Sequence, residues 1–339
     1  MSKQYGTLVL IGRFQPLHNA HLEIIKRCTA LTDQLVIIAG SANQPRTYKN
    51  PFTFEERAQM IRNATAGLSM RVYVEPNIDT IYNDQAWAVR VQGIHSKYRI
   101  LGYKDAIIGH KKDDSSFYLD MFPQWEFINV EEIEPLSAVN IRDLYFKKDV
   151  NMRFIKGVVP ETTFDFLEKF KSTPEYEQII REREFVETYK KQYASLPYPP
   201  IFSTADAVVI QSGHVLLIKR RAEPGKGLWA LPGGYVNANT DKSVEAAMLR
   251  ELREETKIKV PEPVLRGNIV RSKVFDAIDR SPRGRIITHA FHIVLPDGEL
   301  PKVKGSDDAE KARWVPIAEV RSDECFEDHY EILQHFVGA

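Results

Sequence analysis

Two groups of side chains in this sequence are spaced for phosphate chemistry. His18 and His21 stand three residues apart, so one turn of helix points both imidazoles the same way. Two imidazoles facing one way can donate hydrogen bonds to a single phosphate chain. Much later, Glu251, Glu254 and Glu255 follow the same three-and-four rule and would share one helix face. Carboxylates crowded on one face repel one another, and hard oxygen ligands in this number suit Mg²⁺ or Mn²⁺. The competing reading of the acids is a solvated helix face interleaved with Arg250 and Arg253.

The elements around these residues support the chemistry. Leu8-Val9-Leu10-Ile11 is an apolar run short enough for a buried parallel strand, and residues 22–27 read as a helix. Between them lies Gly12-Arg13-Phe14-Gln15-Pro16-Leu17-His18. A strand, a tight turn and a helix start form a phosphate site in open α/β folds, because helix N-terminal amides point at the ligand. Further strands are expected at residues 35–40, 70–74, 106–109 and 125–130. Thr53 and Glu56 have the spacing of a capping box, and Arg57 follows on that helix. Asp84 is expected to cap a helix carrying Trp87, Val91 and Ile94 at helical spacing. Lys111 and Lys112 follow the fourth strand, where a phosphate role competes with simple solvation. Ser137 opens another helix, with Arg142 expected to project from its first turn.

Residues 161–193 read as helical and charged, and Ser195-Leu196-Pro197-Tyr198-Pro199-Pro200 breaks any helix. The expected division is a first domain over 1–192, a linker over 193–202 and a second domain over 203–339. The second half opens with strands at 206–210 and 215–218 around a Ser212-Gly213-His214 turn. Leu228-Trp229-Ala230-Leu231-Pro232-Gly233-Gly234 then leads to the acidic helix, residues 286–295 form a strand, and residues 326–336 form a closing helix.

Composition narrows the function classes. The 339 residues are 43% hydrophobic and 27% charged, which is globular. Lys plus Arg and Asp plus Glu are equal at 46, so no overall basic field favours nucleic acid. Cys28 and Cys325 are the only cysteines, far apart and in no metal-ligand spacing, which suggests a reduced, cytoplasmic setting. The first apolar run ends at Gly12-Arg13, so no signal peptide and no membrane span are expected.

The residues from Gly12 to His21 resemble the (H/T)-x-G-H signature of the nucleotidyltransferase superfamily, in the G-R-F-Q-P-x-H form of archaeal-type nicotinamide mononucleotide (NMN) adenylyltransferases. Ala20 stands where that family has Gly. Asn50-Pro51-Phe52-Thr53-Phe54-Glu55-Glu56-Arg57 is similar to the family's N-P-F-T-x-x-E-R stretch, and favours structural or phosphate work for Arg57 over solvation. Ser137-Ala138-Val139-Asn140-Ile141-Arg142 resembles its S-x-T-x-(I/V)-R motif, with Val139 in place of Thr. The resemblance implies that Gly12, Arg13, Phe14, His18, His21, Ser137 and Arg142 hold ATP phosphates. It also implies that Lys49 reaches the NMN phosphate, Trp87 stacks on the nicotinamide ring, and Asn83 lies beside it.

The second half resembles the Nudix box, G-x5-E-x7-R-E-U-x-E-E-x-G-U, where U is aliphatic. Here two extra residues separate Gly234 from Arg250, Lys242 occupies the first Glu position next to Asp241, and Lys257 replaces the late Gly. A cation at 242 is expected to substitute structurally, since no metal ligand is lost. The resemblance implies a metal held by Gly234, Glu251, Glu254 and Glu255. The tail is similar to ADP-ribose pyrophosphatases, which implies that Arg283 and Arg285 bind ADP-ribose.

The fold class expected is α/β: a doubly wound parallel-sheet nucleotidyltransferase domain, then an α/β/α Nudix domain with a mixed sheet. The order of the two resembles a bifunctional family of NAD metabolism. One reaction would join ATP and NMN into NAD and pyrophosphate with Mg²⁺. The other would cut ADP-ribose into AMP and ribose 5-phosphate with Mg²⁺ or Mn²⁺. The rival is an adenylyltransferase whose Nudix domain senses ADP-ribose without cutting it. Partners are small molecules, with no nucleic acid or membrane; homo-oligomer formation stays open.

Overall fold

The first half builds an alternating sheet because its apolar runs are too short for helices and are separated by amphipathic segments. In chain order these are β1 (Thr7–Gly12), α1 (Asn19–Leu31), β2 (Gln34–Ala39), α2 (Phe54–Thr65), β3 (Arg71–Pro76), α3 (Asp84–Ser96), β4 (Asp105–Gly109) and β5 (Glu126–Asn129). A 3-10 turn over Asp114–Met121 precedes β5. Then follow α4 (Ala138–Tyr145), α5 (Met152–Val158), α6 (Glu161–Phe170) and α7 (Pro174–Lys191). The computed structural model describes residues 3–111, 114–131, 137–305 and 309–338. Lys112, Pro135, Leu136 and the segment Ser306-Asp307-Asp308 lie outside them.

The five strands are all parallel in the order β3-β2-β1-β4-β5. The chain steps from β1 through β2 to β3, then returns past β1 to place β4 on its other side. Connections leaving in opposite directions open a crevice at the carboxyl end of β1, where ligands bind in such sheets. Alternation along each strand sends side chains to both faces. Leu8, Leu10, Leu35 and Ile37 meet Ile25, Cys28, Ala58 and Ile61 on one face. Val9, Val36, Ile38 and Ile107 meet Ala88, Val91 and Ile94 on the other. The sheet is thus covered on both sides, as the doubly wound reading expects. Each Val, Leu or Ile among them contributes roughly 1.5–3 kcal/mol on full burial.

The expected capping box forms: Thr53 accepts from the Glu56 amide, and Glu56 reaches back to the Thr53 amide. One cap differs. Asn83, not Asp84, caps α3, its side chain accepting from the Ala86 amide at 3.0 Å. Asp84 becomes the first helical residue, where its charge suits the positive end of the helix dipole.

The chain divides into two compact units between Ile180 and Arg181, inside α7. The second contains β6 (Ile201–Gln211), β7 (His214–Arg220), β8 (Trp229–Ala230), β9 (Gly233–Tyr235), α8 (Val244–Thr256), α9 (Glu262–Gly267), β10 (Ile269–Phe275), β11 (Arg285–Val294), β12 (Ala309–Pro316) and α10 (His329–Val337). Its sheet runs β10-β11-β6-β7-β12, with β8 added to β7 and β9 to β6. β6 and β11 are parallel and the other pairs antiparallel, so the sheet is mixed.

The β6–β7 turn is Ser212-Gly213 alone, both with positive φ (46° and 72°), and His214 already belongs to β7. That backbone twist matches a two-residue hairpin. Ala205, Ala207, Val209, Phe291 and Ile293 face Ala247, Met248 and Leu252 of α8. His292 points the other way and meets Phe336 of α10. The closing helix starts at His329 rather than at 326, because Glu327 takes a left-handed φ of 46°.

Candidate functional site

The first candidate site sits at the carboxyl end of β1. Gly12 ends the strand, and a Cβ there would lie 3.0 Å from the Phe14 ring. Phe14 takes φ 50° and turns the chain towards α1. His18 is the N-cap of α1, with extended backbone and no side-chain cap, and α1 has no acid in its first turn. The opening amides of α1 therefore have no capping side chain and face the crevice mouth, as anion sites at helix starts require.

The two histidines come together as expected. Their rings stack at 3.7 Å between centroids, and Phe14 lies 4.8 Å from His21. Burial holds the His18 imidazole down at about 4. Burial first, then the neighbouring His18, holds His21 well below the usual 6.5. Both are therefore neutral at pH 7, each with one N–H to donate. The Nδ1 atom of His21 is buried and has no hydrogen-bond partner among the described residues.

Positive charge comes from arginines. Arg13 donates through Nη2 to the Lys49 carbonyl at 3.4 Å and to Asn50. Arg142 is buried and donates through Nη1 to the Gln15 carbonyl at 2.8 Å. Its Nε has no partner among the described residues. Burial first, then repulsion from Arg13, lowers this guanidinium to about 10. Arg142 is the fifth residue of α4 and so projects from its second turn, not its first. The second turn brings it over the Gln15 carbonyl.

Ser137 is the N-cap of α4, accepting from the Asn140 amide at 3.3 Å. Its oxygen is thereby partly engaged, while its O–H remains able to donate. Lys49 is exposed in the loop before α2. Trp87 is half-buried, with Tyr118 at 5.8 Å and Phe122 at 6.1 Å between rings. Asn83 spends its side-chain oxygen on the α3 cap. Lys111 pairs with Asp120 at 2.6 Å rather than standing open for phosphate.

Two anchors escape a reading of the sequence. Gln15 donates to the Phe52 carbonyl at 2.9 Å and accepts from the Phe52 amide at 3.0 Å. Asp79 accepts from both the amide and the hydroxyl of Ser41. Neither pairing leaves a local signal, since partners lie 37 and 38 residues away.

The second candidate site lies where α8 faces β9. Ser243 caps α8 through the Ala246 amide. The glycine pair is required by space. A Cβ on Gly233 would lie 2.4 Å from the Ala205 carbonyl, and one on Gly234 would lie 2.6 Å from a Glu251 oxygen. The Gly233 amide donates to Glu255 Oε2 at 2.9 Å. Burial first pushes the Glu255 carboxyl up to about 8, with Glu251 and Asp206 adding to the rise and the Gly233 amide and Arg220 opposing it. Burial also raises Glu251, against the pull of Arg250.

Arg250 organises the helix start. It clasps Asp241 through Nε at 2.9 Å and Nη2 at 2.8 Å, and reaches Glu251 at 2.8 Å and Glu254 at 3.1 Å. Asp241, not Lys242, is therefore the side chain that Arg250 holds. A carboxylate can accept the bidentate fork, whereas an ammonium cannot. Lys257 adopts the left-handed C-cap expected of the late glycine, at φ 46°.

Among the described residues no three His, Cys, Asp or Glu side chains converge closely enough to form a ready cation cage. Arg250 draws off Glu251 and Glu254, and Glu255 lies against Gly233. The donor set nonetheless suits a divalent ion. Desolvation and neighbouring acids raise both the half-buried Glu251 and the buried Glu255, and a bound dication reverses both effects.

Arg283 and Arg285 hold separate partners rather than forming one open clamp. Arg283 meets both oxygens of Glu327 at 3.2 Å and donates to the Tyr235 hydroxyl at 3.3 Å. Arg285 donates to the Asp276 carbonyl at 2.6 Å. Spacing alone does not mark Arg220. Its guanidinium lies 3.9 Å over the Phe326 ring, its Nε donates to Pro224, and it opposes the charge of Glu255. Arg280 and Asp328 form a fully buried pair at 2.6 Å alongside. The run Lys219-Arg220-Arg221 was the available signal.

Comparison with known proteins matches each half separately and the whole chain together. Residues 9–206 match the cytidylyltransferase-like family and residues 201–336 the NUDIX domain family. A nicotinamide/nicotinic acid mononucleotide adenylyltransferase of Acinetobacter baylyi is 36% identical over 178 residues, which are 52% of this chain and 92% of that protein. An ADP-ribose pyrophosphatase of Methanocaldococcus jannaschii is 31% identical over 160 residues, 47% of this chain and 83% of that protein. A solved structure from Francisella tularensis, a bifunctional NMN adenylyltransferase/ADP ribose pyrophosphatase complexed with AMP and a manganese ion, superposes with a TM-score of 0.90. It is 33% identical and covers 98% of this chain and 99% of its own.

Proposed function

Since the chain belongs to the cytidylyltransferase-like family through its first half and to the NUDIX family through its second, we propose that it is a bifunctional enzyme of NAD metabolism. One half joins NMN and ATP into NAD. The other hydrolyses ADP-ribose to AMP and ribose 5-phosphate. The observation that carries the first assignment is the stacked, neutral His18–His21 pair at the uncapped start of α1.

In adenylyl transfer an oxygen of the NMN phosphate attacks the α-phosphorus of ATP, and the bond to the bridging oxygen breaks to release pyrophosphate. The attacking group is already an anion, so no protein nucleophile is needed, and catalysis is positioning and charge stabilisation. His18 and His21 donate neutral hydrogen bonds to phosphate oxygens. Arg13 and Arg142 counter the charge that grows towards pyrophosphate, and the Ser137 hydroxyl and the α4 amides hold the far end. Phe14 and Gly12 shape the close approach. Lys49 meets the NMN phosphate, and Trp87 with Asn83 contacts the nicotinamide end.

In the hydrolase half Glu251, Glu254, Glu255 and the Gly234 backbone would hold a divalent ion, Mg²⁺ or Mn²⁺. Such an ion neutralises phosphate charge and lowers the pKa of bound water. Arg250 and Asp241 fix the helix start that presents these acids. Arg283, Arg285 and Arg220 would supply positive charge to the ADP-ribose phosphates. We place the enzyme in the cytoplasm, acting on small molecules and not on nucleic acid. Among the described residues no helix is long and apolar enough to cross a membrane.

Product analysis tests the whole reading. Purified protein given NMN and ATP with Mg²⁺ should yield NAD and pyrophosphate. Given ADP-ribose with Mg²⁺ it should yield AMP and ribose 5-phosphate, and chelation should stop both. Absence of NAD refutes the first assignment. Tight ADP-ribose binding without AMP at any metal concentration replaces the second with a sensor.

A further inference from the structure

We propose that Arg57 is a positioning residue for adenylyl transfer, holding the first two crevice loops in register from beneath; this rests on the adenylyltransferase reading above. Among the described residues Arg57 is the largest fully buried side chain, 1% exposed, although it lies on a helix beside the charged Glu55 and Glu56. Its fork is spent on main-chain carbonyls. Nη1 donates to Arg13 O and to Gly40 O, both at 2.7 Å. Nη2 donates to Ser41 O at 3.3 Å, and Nε donates to Thr53 O of its own helix at 3.2 Å.

Those carbonyls belong to a special place in the fold. β1 and β2 are adjacent and end in register, Gly12 opposite Ala39, with the Gly40 amide donating to the Gly12 carbonyl at 3.0 Å. Just beyond that point each chain takes a left-handed step at a residue that is not glycine. The first is Phe14 at φ 50° and the second is Ser41 at φ 52°. Such residues are strained and persist only where their surroundings over-determine them. Arg57 binds the carbonyl immediately before Phe14, and the carbonyls of both Gly40 and Ser41. One guanidinium thus fastens both steps.

The hold reaches further. Ser41 is tied through its amide and hydroxyl to Asp79, so the loop after β3 joins the same chain of contacts. Phe14, the residue fixed on one side, packs on His21. Arg57 therefore connects the loop that carries the phosphate-binding pair to the two loops on the other side of the crevice. A planar fork with several donors can satisfy carbonyls on two chains at once, which an ammonium on a flexible stem cannot do at these distances. Misplacing reacting groups by about 1 Å costs on the order of 10²-fold in rate. The buried charge also adds to the positive field behind the crevice, as its repulsion with Arg13 indicates.

The test compares wild type with Arg57→Lys, which keeps the charge and loses the fork, and Arg57→Gln, which keeps a donor and loses the charge. Folding is read by near-ultraviolet circular dichroism and thermal midpoint, NAD synthesis by kcat and KM for each substrate, and ATP affinity by calorimetry. Both variants should stay folded. We expect kcat for NAD synthesis to fall at least thirtyfold in both, with KM for ATP changed less than kcat, and with a larger loss in Arg57→Gln. ADP-ribose hydrolysis by the same samples should be unchanged. If wild type makes NAD and Arg57→Lys matches it, the positioning role is wrong. Loss of activity only in proportion to loss of folded protein, or unfolding of both variants, equally overturns it in favour of a plain stabilising role. If wild type makes no NAD the functional reading fails by itself. Arg57 is then judged by ATP affinity, which should weaken about tenfold in both variants and which overturns the proposal if unchanged.

Discussion

Replacing His21 by alanine separates catalysis from stability in a way the structure makes quantitative. The ring stacks on His18 at 3.7 Å, and its Nδ1 is buried without a partner among the described residues. A buried unpaired polar atom destabilises the free protein by about 1–3 kcal/mol. Removing the ring removes that penalty and leaves a gap, whose cost for a fully buried large side chain is roughly 2–5 kcal/mol. His21 is only half-buried overall, so the gap costs less. The two effects largely cancel, and the net change in stability should stay within about 2 kcal/mol. That corresponds to a shift of less than about 8 °C in the thermal midpoint of a domain of this size.

Activity should respond quite differently. The imidazole is neutral, so its contribution is one preorganised N–H aimed at phosphate. Loss of such a donor costs about 2.7–4 kcal/mol in the transition state, or 10²- to 10³-fold in kcat. NAD formed from NMN and ATP is measured by coupled reduction, with ADP-ribose hydrolysis in the same sample as the standard of folded enzyme. His21→Asn, which restores a donor, should recover part of the loss. NAD synthesis by a folded His21→Ala protein within threefold of wild type refutes the reasoning.

Three further expectations follow from the same geometry. Glu255→Gln keeps size and the contact with the Gly233 amide but loses the charge; ADP-ribose hydrolysis should vanish under steady-state assay while NAD synthesis stays intact. The clasp of Arg250 holds the Asp241 carboxyl down at about 2, with the hydrogen bond from Arg250 the first cause. That value lies below the unfolded pKa of ~3.9, so the stabilisation is present above pH ~4 and is lost as pH falls towards 2. Asp241→Asn should therefore lower the thermal midpoint at pH 7, with the gap to wild type narrowing at pH 3; a gap independent of pH counts against the clasp. Finally, a fragment ending near Ala194 should fold and make NAD without the second half, as gel filtration and the coupled assay will show, and an unfolded fragment would move the boundary.

Much of this protein is written locally. The strand and helix alternation of the first half, the Thr53–Glu56 capping box, the two-residue Ser212-Gly213 turn and the three-and-four spacing of Glu251, Glu254 and Glu255 all depend on neighbours within a few residues. Interactions of that range leave a period or a pattern in the chain, so they can be read from it. The pairing of His18 with His21 is of this kind as well.

What only the tertiary structure decided concerns groups that meet across the sheet. Arg57 sits among charges in sequence and is nevertheless buried, because the order β3-β2-β1-β4-β5 brings two strand ends under it. Phe52 and Arg142 lock the loop at Gln15 from 37 and 127 residues away. Arg250 meets Asp241 rather than the neighbouring Lys242, since a guanidinium fork selects the carboxylate within reach. Arg283 has no acid beside it in sequence, and only the fold sets Glu327 against it. A side chain's composition states which bonds it can make; which partner it finds is settled by strand order and burial, and neither is a property of a short stretch of chain.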